Sequence, residues 1–164
     1  WGKMSLVKQL TLLEDAQLLL GVQGADLFNM VFMRKRTCVI DLIPYCWANA
    51  SDFWQSSVTN LQRHYVWRNP DPKRSRCSRE PPDCIIPSCG LNPPDDKLIL
   101  CGTFGSTDVC AQDTDVDIDS LHLIVLDALD FLLHGGGAGG RLATACEVRS
   151  RKVVCSHTLP KVPN

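Results

Sequence analysis

The sequence predicts an α/β fold, an open parallel sheet with helices on both faces, and two observations carry that expectation. Leu18–Val22 and Thr37–Ile43 are short, nearly continuous apolar runs, the pattern of parallel strands buried on both sides. Around them apolar residues recur at helical spacing. A helix–strand alternation repeated three times implies right-handed crossovers in one open sheet.

The elements follow in chain order. Ser5 is placed to cap a first helix, in which Leu6, Leu10 and Leu13 recur through Ala16. After the strand Leu18–Val22, Gln23-Gly24-Ala25 turns the chain into a second helix from Asp26 to about Met33, with Leu27, Met30 and Val31 facing inward. Arg34-Lys35-Arg36 ends that helix, where cations suit the negative end of its dipole. Pro44 stops the strand Thr37–Ile43. Asp52 to Leu61 is expected to form a third helix, and His64–Trp67 a third strand. Residues 70–112 are rich in Pro and Cys and read as a loop-rich insertion. A final helix starts near Asp119, with Leu121, Val125, Ala128, Leu129 and Leu132 as its apolar stripe and Gly135 as C-cap. Residues 1–134 are thus expected to be one domain, and 135–164 a Gly-rich, disordered tail.

Composition narrows the function classes. The 164 residues carry a formal net charge of −1, which gives no global attraction to nucleic acid or an anionic membrane. No apolar run approaches the roughly 20 residues of a membrane-spanning helix. The chain opens at Trp1 and enters a helix almost at once, so we expect a C-terminal piece with an upstream part missing. Nine cysteines and the acceptor triplet Asn49-Ala50-Ser51 favour an oxidising, secretory compartment.

Chemistry is expected at the turn after Val22, because open parallel sheets bind ligands at the carboxyl ends of their strands. Gly21 and Gly24 allow a tight turn there. Gly24 and Ala25 leave room for a phosphate to approach the backbone, and the next helix would supply N–H groups and a positive dipole end. Asp41, on the following strand, could accept ribose hydroxyls. Competing signals fail on context. His134–Gly137 has no nucleophile elbow to partner it. Asp113, Asp115, Asp117 and Asp119 lack the Gly and Glu of a calcium loop and suit helix capping instead. The four histidines are scattered, and none has a Ser or Cys partner.

Three segments then carry a family resemblance. Leu18–Pro44 (LLLGVQGADLFNMVFMRKRTCVIDLIP) resembles the signature of glycosyltransferase family 61. His64–Asn69 (HYVWRN) and Gln112–Leu121 (QDTDVDIDSL) are similar to segments of its protein O-mannose β-1,4-N-acetylglucosaminyltransferase and extracellular-domain O-GlcNAc transferase types. The resemblance implies the Rossmann-like, C-terminal donor-binding half of a GT-B-like enzyme. It further implies inverting, metal-independent transfer of a sugar, N-acetylglucosamine, from a UDP-sugar co-substrate to a protein O-glycan or a Ser/Thr hydroxyl. No other cofactor and no nucleic acid enters that scheme. Its setting would be the lumen of the endoplasmic reticulum or Golgi, with an anchor in the missing N-terminal segment and a catalytic base in the missing half.

Donor binding would then fall to Gly21, Gln23, Gly24, Ala25, Asp26 and Asp41. Gln23 stands where the family usually has His, Asp26 where it has a small or neutral residue, and Asp41 where it has Glu. Gln23 carries no positive charge and Asp26 adds a negative one. These departures motivate an alternative, a non-catalytic nucleotide-sugar-binding or structural module.

Overall fold

The computed structural model describes residues 3–47, 62–77, 86, 89–91, 112–134, 145–149 and 152–156. The elements are α1 (Leu6–Asp15), β1 (Leu18–Val22), a 3-10 helix (Ala25–Phe32), β2 (Cys38–Ile43), β3 (Arg63–Arg68), β4 (Ser75–Cys77), β5 (Gln112–Thr114), α2 (Ile118–His134), β6 (Ala145–Arg149) and β7 (Lys152–Ser156). The helix expected at Asp52–Leu61, the Asn49 triplet and the cap Gly135 lie outside the described residues.

The main sheet has the order β1-β2-β3-β6-β7. β1, β2, β3 and β6 are parallel, and β7 returns antiparallel to β6. Its two faces carry separate cores. Cys38, Ile40, Leu42, Tyr65, Trp67 and Cys146 pack under Ile124, Ala128 and Phe131 of α2. On the other face Val39 packs with Leu13 of α1 and with Leu27, Met30 and Met33. The α/β fold therefore holds, with β2 buried along its whole length. β1 is an edge among the described strands, and its Leu20 and Val22 are exposed, so the two-sided burial expected for it fails.

Several local expectations are corrected. The second helix is a 3-10 helix and opens at Ala25, with Gly24 in the N-cap position. Leu27, Met30 and Met33 are buried at intervals of three, and a 3-10 helix eclipses side chains at that spacing. In α1 only Leu13 of the expected stripe is buried. Ser5 does cap that helix, accepting from the Lys8 N–H. The stripe of α2 is rotated: Ile124, Ala128 and Phe131 are buried and Leu129 is exposed. Leu121, Val125 and Leu132 flank the buried three, completing an i, i+3, i+4, i+7 face.

The 3-10 helix between β1 and β2 and α2 between β3 and β6 lie on opposite faces of the sheet. The largest departure is in the segment read as tail. Residues 145–149 pair with β3 and then with 152–156, and the disulfide Cys146–Cys155 joins the two strands. Disorder is thus wrong for those ten residues. In the loop-rich zone, β4 and β5 form a small antiparallel pair. Asp115 and Asp117 meet Arg76 and Arg74, and Asp117 accepts from the Ser120 N–H, which is the capping role expected of it.

Cys38 is the free cysteine among the described residues. Its thiol lies in the core with Sγ 3.7 Å from the Ala128 carbonyl oxygen. Burial pushes the thiol from 9.0 up to about 12, with the nearby Arg63 guanidinium opposing the shift. The folded state thus favours the protonated thiol. That stabilisation is complete below pH 9 and is lost as pH rises toward 12. Accordingly, iodoacetamide at pH 8 should leave Cys38 unmodified in the native protein and label it once the chain is unfolded without reductant. Labelling of Cys38 in the native protein at the unfolded rate would contradict this packing.

Candidate functional site

Three neighbouring strands bring a polar cluster together on the α1 face of the sheet. The Gln23 N–H donates to the Leu42 carbonyl at 2.9 Å, extending the β1–β2 ladder one residue past Val22. Gln23 Nε2 then donates to Asp41 Oδ2 at 3.4 Å. From β3, His64 Nε2 lies 3.7 Å from the same oxygen, with both side chains fully buried. Asp41 Oδ1 has no hydrogen-bond partner among the described residues. A carboxylate at 0% exposure is expensive to bury, by several kcal/mol when its partners are incomplete.

The predicted residues thus divide. Gln23 and Asp41 meet, although Asp41 sits inside the sheet instead of at an open strand end. Gly21 lies opposite Asp41 in the register, but its missing side chain serves packing: a Cβ there would stand 3.2 Å from Leu27 Cδ1. Gly24 is extended at φ 168°, and a Cβ there would meet only the Val22 carbonyl oxygen at 3.8 Å. The fold does not need glycine at 24, and the space is free. Ala25 and Asp26 open the 3-10 helix, and Gly24 occupies its N-cap position. Because the Leu27 N–H bonds back to Gly24, the donors left to a ligand are the N–H groups of Ala25 and Asp26.

His64 was missed in sequence. The signal available was a titratable residue beside the apolar run Tyr65–Trp67 of β3. Its partner lies 23 positions upstream, and only the β2–β3 pairing unites them.

The other face carries a second polar cluster. Tyr65 donates to Asp127 Oδ2 at 2.6 Å, and Arg63 lies 3.6 Å from that oxygen. Burial, and then the bond to Asp127, push the Tyr65 phenol well up. Arg63 also lies over the Phe131 ring at 5.0 Å and 3.3 Å from Cys155 Sγ. Asp127, Cys146 and Cys155 are close enough to hold a metal ion. Oxidised to a disulfide, however, the two sulfurs offer no thiolate ligand.

At the carboxyl end of β2, Tyr45 donates to the Gly90 carbonyl at 2.7 Å and accepts from the Cys89 N–H at 3.1 Å. The disulfide Cys46–Cys89 ties the same two segments, and Arg68 donates to the Trp47 carbonyl. A cavity of about 160 Å³ lies at the opposite end, beside Gln17 and Thr37, which precede β1 and β2. It is lined by Glu14, Asp15 and Arg34 to Arg36, and Arg34 is already paired with both acids. Its place at the amino ends of the strands makes it a poor ligand site for a parallel sheet.

Residues 1–40 match the family model of glycosyltransferase 61. The match covers 40 of the 164 residues and ends in β2 one residue before Asp41. It therefore includes β1, the Gln23–Gly24 turn and the whole 3-10 helix, and excludes Asp41 and His64. Neither a curated protein nor a solved structure matches the chain.

Proposed function

We propose that this chain is the donor-side half of a family 61 glycosyltransferase with a GT-B-like architecture. It would bind a UDP-sugar, UDP-N-acetylglucosamine, for inverting, metal-independent transfer to a protein O-glycan or Ser/Thr hydroxyl. The observation that supports the reading is the family match over residues 1–40, a range that includes the strand–turn–helix unit; in the fold, Gln23 and Gly24 follow the carboxyl end of the parallel strand β1. In this scheme the diphosphate lies over Gly24, and the Ala25 and Asp26 N–H groups take up charge as the bond to UDP breaks. The acceptor hydroxyl attacks the anomeric carbon, and a base outside this chain removes its proton. The disulfides Cys46–Cys89 and Cys146–Cys155 support a secretory lumen as its setting.

A second reading, a non-catalytic module descended from such enzymes, is favoured by one observation. Asp41 is sealed from solvent, and of its two contacts His64 is fully buried and Gln23 is 7% exposed. Titration with UDP separates the two. A functioning donor site gives a Kd below about 1 mM, and Gly24→Val abolishes it without moving the thermal midpoint, because position 24 is open and extended. A wild-type protein that binds no UDP would refute the donor site. By contrast Gly21→Val, which drives into Leu27, should destabilise by about 1–3 kcal/mol, measured by urea unfolding.

A further inference from the structure

We propose that His64 is a positioning residue for the donor site: it holds Oδ2 of Asp41 from the third strand and leaves Oδ1 to receive a ligand hydroxyl. The inference rests on the donor-site reading above and assigns a role to a residue outside the family match.

Three observations carry it. Asp41 occupies an interior position on β2 whose same-face neighbours, Val39 and Ile43, are apolar and fully buried. A carboxylate is retained there at a steep desolvation cost, which packing alone does not explain. Both of its contacts lie on Oδ2, the Gln23 hydrogen bond at 3.4 Å and the approach of His64 Nε2 at 3.7 Å, which is longer than a direct hydrogen bond, while Oδ1 has no partner among the described residues. A purely structural pair would satisfy both oxygens, as buried polar groups ordinarily do. Finally, His64 and Asp41 have no solvent exposure, whereas Gln23 keeps 7%. Gln23 is thus the member of the cluster through which a ligand reaches Asp41. When its amide swings away, a nucleoside hydroxyl can donate to Oδ1 while the imidazole keeps the carboxylate in place.

The test uses the full 164-residue chain and two probes, UDP and 2′,3′-dideoxy-UDP, which lacks the hydroxyls assigned to Asp41. His64→Leu is expected to weaken UDP about tenfold and to leave dideoxy-UDP unchanged, while His64→Gln, which keeps a donor, restores UDP binding to within about threefold. A role confined to stability would weaken both nucleotides alike, and that result overturns the proposal, as does an unchanged UDP affinity in His64→Leu. Where His64→Leu fails to fold, His64→Phe refills the volume and carries the same comparison. Failure of the wild-type chain to bind either nucleotide overturns the donor-site reading and this inference with it. Equal losses for the two probes overturn the inference alone.

Discussion

Trp67→Ala is expected to destabilise the chain by about 3–5 kcal/mol, the largest effect of any single truncation considered. Trp67 is 3% exposed near the carboxyl end of β3 and shares the larger core with Ile40, Leu42 and Ile124. Its loss opens a cavity between sheet and α2 that neighbouring strands cannot close. It also removes the Nε1 bond to Ser120 Oγ at 2.8 Å, which ties β3 to the first turn of α2. Trp67→Phe separates the two contributions: it keeps most of the apolar volume and removes the hydrogen bond, at about 1 kcal/mol. Because domains are stable by only about 5–15 kcal/mol, Trp67→Ala should lower the thermal midpoint by about 10 °C or more. A loss below about 1 kcal/mol in urea unfolding would mean that the sheet and α2 do not pack as described.

Removing the Cys46–Cys89 disulfide with Cys46→Ala and Cys89→Ala is expected to destabilise the protein by about 4 kcal/mol, from the chain entropy of the loop it closes. The bridge spans a sequence separation of 43, far more than the 9 of Cys146–Cys155, for which the same argument gives about 2–3 kcal/mol. Geometry adds a local consequence. The Tyr45 hydroxyl bonds to both Cys89 and Gly90, so the bridge and the phenol together hold residues 89–91 at the carboxyl end of β2. Without the bridge the two remaining hydrogen bonds should not hold that segment, and limited proteolysis should cut near 89–91 earlier than in wild type. An unchanged thermal midpoint in the double variant would refute this assignment.

Much of the fold was legible because its signals are local. The runs at Leu18–Val22 and Thr37–Ile43 are too short for helices, and they became β1 and β2, although β1 exposes Leu20 and Val22. Ser5 and Asp117 could be read as caps because capping depends on a few adjacent residues. The 3-10 helix was not legible: Leu27 and Met30 fit a period of 3.6 as well as 3.0, and only backbone bonds such as Leu27 N–H to the Gly24 carbonyl and Met33 N–H to the Met30 carbonyl decide between them. β6 and β7 were hidden behind the glycines at 135–140, although Cys146 and Cys155 are spaced for a hairpin. The glycines of the turn looked equivalent, yet Leu27 fills the space at Gly21 and leaves that at Gly24 open.

The amino-acid order by itself determined the parallel strands β1, β2 and β3 and the Gln23–Gly24 turn, since each follows from hydrophobic period or backbone freedom over a few residues, whereas the antiparallel β7 was not legible. Tertiary structure decided which cysteines pair, because nine of them leave the connectivity open. It also decided the composition of the site. Gln23 follows β1, Asp41 lies in β2 and His64 in β3, and their meeting depends on strand register and desolvation, which no local pattern encodes.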